Sequence, residues 1–469
     1  MVTTMRTRQY VGKTIAVIGM GRSGLAAADT LQRLGANVIL SDSADPGKLG
    51  ERLKAAEALG VTVRPGAKPS EALEGASMVV TSPGVWATSP VLQAAVAAGI
   101  PVLSEIEVAY RIARAPILAV TGTNGKSTTA VWLTHMLSES GFRAIVAGNI
   151  SADSLKRTLI EACEAAEESD VIVAEISSFQ LEWVERFRPK IGILTNISRD
   201  HLDRHGSIEA YAACKARLFA AQRSDDFAIL TAVIVPSRAI ARSVRSRLIW
   251  FDRGHCGWPD WACVRDGRLV VRLDGNEHVL ARADELRIPG SMNVENTLCA
   301  AAAAIAFGAQ PEAITRALTT FEGLPHRMEM VAESGGVAYI NSSMTTNVDA
   351  AIRELEAAGR PVVLIAGGYD KGSDFRPLGA AIARYVTHLV LIGTAGHLIQ
   401  AAAWQANFSD CSYAADMREA VAIASARARP GDAVMLAPVC ASFDMFANFE
   451  ERGQAFRDAV HALLEDEPK

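Results

Sequence analysis

The sequence predicts an α/β protein of three domains, and three observations lead to that prediction. The chain has 469 residues, which is more than one hydrophobic core usually serves. Apolar residues make up 49% of it and charged residues 21%, as in globular proteins. A short apolar strand, a Gly-rich turn, an Ala-rich amphipathic helix and a second strand recur in that order three times. Such a repeat indicates parallel sheets covered by helices.

The first unit opens with an apolar strand at Thr14–Ile18, and the turn Gly19–Gly24 leads into a helix that runs to about Leu34. The second strand ends at Asp42, about twenty residues beyond the glycines, so the turn and the acid have the form of a dinucleotide-binding fingerprint. By itself this pattern suggests a nicotinamide-dependent dehydrogenase. Further strands are predicted from Met78 to Thr81 and from Pro101 to Leu103.

The second unit begins with the strand Ile117–Val120, which runs into Thr121–Ser127 and a helix that ends at about Ser140. Additional strands are predicted at Ala144 to Val146, Val171 to Glu175 and Ile191 to Asn196. From Arg247 to Leu280 the pattern becomes short, alternating and rich in turn residues. That change predicts an antiparallel edge or an insertion.

The turn of the second unit, Gly122–Ser127, has the features of a phosphate-binding loop. Its glycines allow backbone N–H groups to approach phosphate oxygens, and the following helix contributes the favourable field of its N-terminus. Lys126 supplies a cation, and the Ser127 hydroxyl can bind Mg²⁺. The common P-loop spacing requires glycine at position 120, where this chain has Val120, so the loop is a variant.

The third unit starts after Gly323–His326. Its strands are predicted at Val337 to Ile340, Val362 to Ala366, Leu389 to Ile392 and Val434 to Ala437. We therefore expect domains over residues 1–114, 115–325 and 326–469, with boundaries good to several residues.

Charge and cysteine content restrict the function and the compartment. The formal net charge of −5, with both signs mixed along the chain, argues against a nucleic-acid-binding protein. The seven cysteines are odd in number and scattered, unlike a secreted disulfide framework, so we expect a reducing, cytoplasmic setting. No apolar run approaches the roughly 20 residues that a membrane-spanning helix needs, so no membrane insertion is expected.

Two possible metal ligands follow predicted strands of the second unit. Glu175 ends one strand, and His201 lies in the loop after the next. Open α/β sheets bind ligands at the carboxyl edge, where both residues are expected. Taken alone, Glu175 could instead cap a helix and His201 could be a surface histidine. Because both residues occur in the same unit as the phosphate loop, a site for metal and polyphosphate is favoured.

Four segments carry a family resemblance. Thr121–Thr128 reads Thr-Gly-Thr-Asn-Gly-Lys-Ser-Thr and resembles the ATP loop that the Mur ligases share with folylpolyglutamate synthetase. Ala174–Leu181 and Leu324–Glu329 are similar to the glutamate-adding Mur ligases in particular, and Thr81–Val85 is similar to their uridine-side loop. The resemblance implies a Rossmann-like UDP-binding domain, a central P-loop-like ATPase domain and a C-terminal Rossmann-like domain that binds the amino acid.

The same resemblance implies an activity. The implied activity is that of an ATP-dependent ligase that joins UDP-N-acetylmuramoyl-L-alanine to D-glutamate through an acyl phosphate. That reaction belongs to peptidoglycan precursor synthesis, and so to cell-wall biogenesis, cell shape and cell division. Such an enzyme is expected to be a monomer that uses ATP and two Mg²⁺ ions.

Residue roles are likewise implied by the resemblance. Catalytic roles fall on Lys126, His201 and Lys215. Metal ligands are Ser127, Glu175, His201 and Lys215, the last as a carbamate, although from the sequence alone Lys215 would be taken for an exposed helix lysine. ATP contacts are implied for Gly122, Thr123, Asn124, Gly125, Lys126, Ser127, Thr128, Asn293, Asn296 and Arg327.

Two further residue sets complete these expectations. Contacts to the UDP substrate are implied for Ser23, Asp42, Ser82, Gly84, Asn149, Ser177 and Gln180. Contacts to glutamate are implied for Thr346, Lys371, Ser442 and Phe443.

The segment Asn341–Asn347 departs from the family. Where members commonly read Asn-Asp-Ser-Lys-x-Thr-Asn, this chain has Ser342 in place of the acid and Met344 in place of the base. The hand and identity of the amino acid therefore stay open, and L-glutamate or another amino acid is an alternative. A folylpolyglutamate-synthetase-like ligase, a dehydrogenase and a non-catalytic paralogue are further alternatives.

Overall fold

Three β-sheets, each flanked by helices, form the fold in a computed structural model that describes residues 8–150, 157–254, 257–288, 290–370 and 372–465. The α/β class predicted from the sequence is confirmed. The chain forms two compact units. One contains the residues up to Ala283 together with Glu295–Leu318, and the other contains Asp284–Val294 and the residues from Thr319 onward.

The first sheet is parallel, with strand order β3-β2-β1-β4-β5. Its order changes direction between β1 and β4, and ligands of open α/β sheets bind at such a point. The strands are β1 (Thr14–Ile18), β2 (Asn37–Asp42), β3 (Thr62–Pro65), β4 (Met78–Thr81) and β5 (Val102–Ser104). The helices are α1 (Arg22–Arg33), α2 (Pro46–Leu49), α3 (Glu51–Ala58), α4 (Pro69–Ala72), α5 (Pro90–Ala97) and α6 (Glu105–Ile112).

The second sheet has the order β14-β13-β12-β11-β10-β9-β6-β8-β7. Its strands are β6 (Ile117–Thr121), β7 (Ala144–Gly148), β8 (Val171–Glu175), β9 (Ile191–Leu194), β10 (Phe227–Thr231), β11 (Arg247–Phe251), β12 (Trp261–Arg265), β13 (Arg268–Leu273) and β14 (Asn276–Arg282). Strands β12 to β14 pair antiparallel, which confirms the predicted antiparallel edge. Strand β6 lies between β8 and β9, so the loops after these three strands meet at one edge.

Helices of several lengths cover this sheet. They are α7 (Lys126–Glu139), α8 (Leu159–Ala165), α9 (Leu202–His205), α10 (Ile208–Ala220), α11 (Val235–Ala241), α12 (Ser291–Phe307) and α13 (Pro311–Thr320), with 3₁₀ turns at Phe179–Trp183 and Ala283–Glu285. The core is aliphatic, and Trp132 of α7 is fully buried in it. Burial of this kind stabilises the fold by about 25 cal/mol for each Å² of apolar surface.

The third sheet has the order β15-β16-β20-β17-β18-β19, and only its β15–β16 pair is antiparallel among the described strands. Its strands are β15 (Glu329–Ser334), β16 (Val337–Asn341), β17 (Val362–Gly367), β18 (Val386–Ile392), β19 (Cys411–Tyr413) and β20 (Ala433–Val439). Its helices are α14 (Val348–Ala357), α15 (Arg376–Tyr385), α16 (Gly396–Gln405), α17 (Met417–Arg427) and α18 (Phe449–Glu465). Within the described ranges, no helix has both the length and the apolar character that crossing a bilayer requires.

Candidate active site

The phosphate loop joins β6 to α7 in a tight backbone conformation. Gly122 has φ +150° and Gly125 has φ +80°, a region that favours glycine. A Cβ at Gly122 would lie 1.9 Å from Oγ1 of Thr195, and one at Gly125 would lie 2.1 Å from Oδ1 of Asn296. Both positions therefore favour glycine, and the side chain of Asn296 lies against the loop.

Side chains from the neighbouring loop fix this conformation. The N–H of Asn124 donates to Oδ1 of Asn196 at 2.9 Å, and Oγ1 of Thr195 donates to the Asn124 carbonyl at 2.7 Å. Thr123 is likewise held, because its Oγ1 accepts from the N–H of Ser198 at 3.0 Å. The loop is thus preorganised by β9 and the residues that follow it.

Ser127 and Glu175, the pair that the resemblance implies for one metal ion, lie side by side. The Ser127 hydroxyl donates to Oε2 of Glu175 at 2.5 Å, and Asn149 donates to the other carboxylate oxygen at 3.3 Å. Glu175 is buried. An oxygen pair beside a phosphate loop suits Mg²⁺, which takes few protein ligands and completes its shell with water and phosphate. No cluster of three or more His, Cys, Asp or Glu ligands occurs among the described residues.

Lys215 is fully buried, so its interpretation as an exposed helix lysine is wrong. Its Nζ donates to the Gly122 carbonyl at 2.9 Å and lies 4.5 Å from the centre of the Tyr211 ring. Burial, with a smaller contribution from the nearby charge of Lys126, holds the pKa of Lys215 well below its usual range. A low pKa favours the neutral amine, the form that can react with carbon dioxide.

His201 has φ 51°, which is uncommon for a residue other than glycine and costs about 1–3 kcal/mol. The Asp200 carboxylate accepts its N–H at 3.0 Å, and its ring contacts Phe179 edge to face with centroids 4.7 Å apart. The side chain is about half exposed, at 46%. It therefore remains open to a ligand, and its backbone is held in a strained conformation, as functional residues often are.

A cavity of about 870 Å³ is lined by both the first and the central domain. Lys126, His201 and Lys215 lie on the central side. The predicted substrate contacts that line it are Ser23, Asp42, Ser82, Gly84, Asn149 and Ser177. Hence the structure gathers the three predicted catalytic residues and six of the seven predicted substrate contacts around one space.

The first-domain wall of this cavity is fixed by Asp42 and Ser82. Asp42 accepts the N–H groups of Met20 at 2.8 Å and Ala44 at 3.0 Å, and the Ser82 hydroxyl donates to the Gly19 carbonyl at 3.2 Å. Gly24 packs so closely that a Cβ there would lie 1.8 Å from the Gly19 carbonyl oxygen. These contacts hold the Gly-rich turn open toward the cavity.

Gln180 lies behind the cavity wall. Its Oε1 accepts from the N–H of Ser177 at 2.9 Å and from the Ser177 hydroxyl at 3.1 Å, while its Nε2 donates to Glu105 at 2.9 Å. Gln180 is 4% exposed. It therefore positions Ser177, which does face the cavity.

Further residues outside the predicted set also line this cavity, and another, Arg204, holds part of its wall. Arg22, Arg52 and Trp86 line the cavity, and Arg22 could have been found inside the Gly-rich turn itself. Arg204 forms a bidentate pair with Glu182 at 2.6 and 2.7 Å and donates to the carbonyls of Pro83 at 2.7 Å and Val85 at 2.9 Å. No local pattern marks Arg204, because its carbonyl partners are about 120 residues away in the chain.

In the third domain, two segments are connected at the strand ends. Tyr369 and Ala441 exchange backbone hydrogen bonds at 2.9 and 3.1 Å, which brings Ser442 and Phe443 beside the segment after β17. Ser442 is buried and Phe443 is 65% exposed. Lys371 lies outside the described residues, and Thr346 is partly exposed beyond β16.

The buried Arg452 of α18 connects the segment after β20 to the segment after β16. It donates to the Ser343 carbonyl at 2.9 Å and to the Cys440 carbonyl at 3.0 Å. Arg327 lies in the turn before β15, and Asn293 is buried near the start of α12 in the same compact unit. Arg452 could not be foreseen from the sequence, because an arginine near a chain end gives no signal of burial.

Three family models match the chain. The Mur ligase MurD-like N-terminal domain matches residues 13–104, the Mur ligase middle domain matches residues 120–304, and the Mur ligase glutamate ligase domain matches residues 326–440. Together they account for each of the three sheets.

Curated relatives and solved structures agree with these models. Proteins named UDP-N-acetylmuramoylalanine–D-glutamate ligase are 45% identical in Pelotomaculum thermopropionicum, covering 97% of this chain and 99% of that protein, and 41% identical in Thermoanaerobacter pseudethanolicus, covering 96% and 99%. The UDP-N-acetylmuramate–alanine ligase of Thermotoga maritima shares the fold, with a TM-score of 0.59 at 17% identity over 97% of this chain and 100% of its own. MurF from Acinetobacter baumannii has a TM-score of 0.61 at 15% identity over 97% and 98%.

Proposed function

Because this chain belongs to the Mur ligase family, we propose that it joins UDP-N-acetylmuramoyl-L-alanine to D-glutamate at the expense of ATP, in the synthesis of peptidoglycan precursors. Relatives 40–45% identical over nearly their whole length carry the name of that activity. The observation that carries the proposal is the hydrogen bond between Ser127 of the phosphate loop and the buried Glu175.

ATP binds first to the central domain in this proposal. Backbone N–H groups of residues 122–128 and the N-terminus of α7 face the phosphates, and Lys126 adds a positive charge. Asn296 lies against Gly125, which supports a contact to the nucleotide. Ser127 and Glu175 would hold one Mg²⁺, and His201 with the Lys215 carbamate would hold a second. The bound ions would neutralise charge between the carboxylate and the polyphosphate.

The substrate carboxylate then attacks the γ-phosphate. An oxygen of the lactoyl-alanine carboxylate forms the new P–O bond, the bond to the bridging oxygen of ADP breaks, and Lys126 stabilises the charge on the transferring group. The glutamate amine attacks the acyl phosphate, loses a proton and displaces inorganic phosphate. Phosphorylation is necessary because a free carboxylate resists attack by an amine.

UDP-N-acetylmuramoyl-L-alanine occupies the 870 Å³ cavity in this proposal. Arg22 and Arg52 line that cavity and suit the diphosphate, since guanidinium groups bind phosphate oxygens well. Ser177 and Asn149 lie nearer the phosphate loop side and suit the muramoyl-alanine end. This arrangement orients the substrate carboxylate toward Lys126.

Glutamate binds to the third domain. Thr346, Ser442 and Phe443 lie after strands of its sheet, and Lys371 provides a cation for a glutamate carboxylate. We propose a cytoplasmic monomer. Because Ser342 and Met344 replace the usual acid and base, L-glutamate or another amino acid is the second candidate for the incoming substrate.

Phosphate release tests the proposal. Purified protein, ATP, Mg²⁺ and UDP-N-acetylmuramoyl-L-alanine are incubated with each amino acid of either hand, and the ligated product is identified by mass spectrometry. We expect release and product with D-glutamate, and none when the UDP substrate is omitted. Turnover with L-glutamate alone would favour the second candidate, and no turnover with any amino acid would contradict both. NADH that raises the melting temperature, with no phosphate release, would favour a dehydrogenase.

A further inference from the structure

Glu354 is a buried acid in the third domain. It lies on α14 with 2% of its surface exposed. The Thr345 hydroxyl donates to its carboxylate at 2.5 Å, and the nearby Ser342 hydroxyl helps to lower the pKa of Glu354. Burial raises the pKa of Glu354, and the positive charge of Arg327 acts most strongly against that rise. A carboxylate in such a place is costly unless hydrogen bonds or an opposite charge stabilise it.

Arg327 lies in a strained turn. Its neighbours His326 and Met328 have φ values of 63° and 49°. The turn is attached to the segment after β16: the N–H of Met328 donates to Oγ of Ser342 at 2.7 Å, and the N–H of Met344 donates to the His326 carbonyl at 3.0 Å. The segment that holds Ser342 and Met344 therefore connects the backbone beside Arg327 to Glu354, which accepts the hydroxyl of Thr345 in the same segment.

The segment Asn341–Asn347 has no charged side chain of its own. Its position 342, where the family commonly has an acid, is occupied by a serine whose hydroxyl reaches Glu354. Among the described residues, the acid near the Ser342 hydroxyl is therefore Glu354, which lies on the following helix α14.

We propose that Glu354 supplies, from α14, the carboxylate that the segment lacks at position 342, and that it positions Arg327 for the nucleotide. This inference rests on the proposed function, because it takes Arg327 as an ATP contact. The opposite charges of Glu354 and Arg327 attract each other, and Glu354 holds the segment whose Ser342 and Met344 are hydrogen-bonded to the turn of Arg327. It is a positioning residue, since it acts on ATP only through Arg327.

Moving the acid tests the proposal. Glu354→Gln keeps the shape and removes the charge, so we expect the KM for ATP and the Kd for the analogue AMP-PNP to rise about tenfold while kcat changes less than about twofold. Ser342→Asp alone sets a second carboxylate against Glu354, and it should also weaken binding. The double variant Ser342→Asp/Glu354→Gln has one acid again and should return to within about threefold of the original protein.

A second cycle asks whether Arg327 transmits the effect. In an Arg327→Ala background, Glu354→Gln should cause no further loss of AMP-PNP affinity. Glu356→Gln, an exposed acid on the same helix, is the matched control and should leave the Kd unchanged. Melting temperatures of all variants separate loss of binding from loss of folding.

Three results would overturn the proposal. One is a Glu354→Gln variant that melts earlier but binds AMP-PNP normally, which would make Glu354 merely structural. The second is a double variant Ser342→Asp/Glu354→Gln whose loss of AMP-PNP affinity equals the sum of the two single losses. The third is a loss of affinity on Glu354→Gln that is just as large in the Arg327→Ala background. Should Glu354→Gln not fold, recovery of folding and binding in the double variant supports the proposal, and no recovery overturns it. Failure of the original protein to bind AMP-PNP would instead contradict the proposed function.

Discussion

The phosphate loop and the segment Asn341–Asn347 are two solutions to the same structural problem. Each follows a parallel strand, β6 or β16, and each reaches the carboxyl edge of its sheet. The loop carries its own cation, Lys126, and meets the acid Glu175 from the adjacent strand. The segment carries no charge and contacts the acid Glu354 on the helix that follows it. The comparison shows that the acid beside such a loop can come either from the adjacent strand, as Glu175 does, or from the following helix, as Glu354 does.

The largest effect should come from removing the cation of the phosphate loop. Lys126→Ala is expected to lower kcat for phosphate release about 100- to 1000-fold, because no other side chain of the loop is positively charged. Met344→Ala in the uncharged segment is the matched change and should stay within about threefold. Stopped or coupled phosphate assays measure both. Equal losses of kcat in Lys126→Ala and Met344→Ala would contradict the distinction between the charged loop and the uncharged segment.

The second test asks whether Lys215 serves as an amine or as an acid. Lys215→Ala should reduce kcat about 100-fold if a carbamate is lost from the metal site. Added acetate should then restore part of the rate, because a carboxylate can enter the space of the missing side chain. Methylammonium should not. Rescue by methylammonium instead of acetate would assign the buried side chain a positive charge in the working enzyme.

The third test concerns a guanidinium with fixed partners. Arg204 binds Glu182 and two carbonyls of the first domain, so Arg204→Ala should raise the KM for UDP-N-acetylmuramoyl-L-alanine about tenfold and leave the KM for ATP nearly unchanged. Exposed Arg217 on α10 is the control. Initial rates at varied concentrations of each substrate separate the two constants. An equal rise in both would mean that Arg204 supports the whole site.

The smallest effect on activity is expected at Glu105, a buried acid held by an amide. Burial raises the pKa of Glu105 from 4.5 to about 7. The folded protein therefore keeps a proton that the unfolded chain releases, and this contribution to stability is full below about pH 4.5 and is lost as the pH rises to about 7. Glu105→Gln removes that loss, so its stability relative to the original protein should increase between pH 5 and pH 8, by about 3 kcal/mol at most.

Urea unfolding at both pH values measures this difference. Glu185→Gln, at a carboxylate 57% exposed, should show no such change. Parallel stability curves for Glu105→Gln and the original protein would show that Glu105 does not titrate in this range.

Much of the fold and the centre of the site could be predicted from the sequence. Strand β1 and the phosphate loop have strong local patterns, and the position of Glu175 at the carboxyl edge of the sheet follows from its place at the end of an apolar strand. The burial of Lys215 and Glu354 could not be predicted, because a charged residue on a helix gives no local sign that its face is covered. Arg204 and Glu105 were missed for a similar reason: their partners are distant in the chain and are brought near only by folding.

The domain boundaries stay predictions. Family-model matches end at residue 104, resume at 120, end again at 304 and resume at 326. Composition gives no linker signal in those intervals, so a sequence pattern cannot assign the connecting residues to one side. Limited proteolysis would locate the domain boundaries directly.

The close approach of Gly125 to Asn296 also bears on inhibition. A side chain at position 125 would displace the amide of Asn296, because its Cβ would lie 2.1 Å from Oδ1, and it would have to adopt a φ of +80° that favours glycine. A resistance mutation at position 125 would thus disturb both the loop and a helix that is distant in the chain. An antibacterial compound that hydrogen-bonds the backbone of this loop would meet a target with few single-step routes of escape.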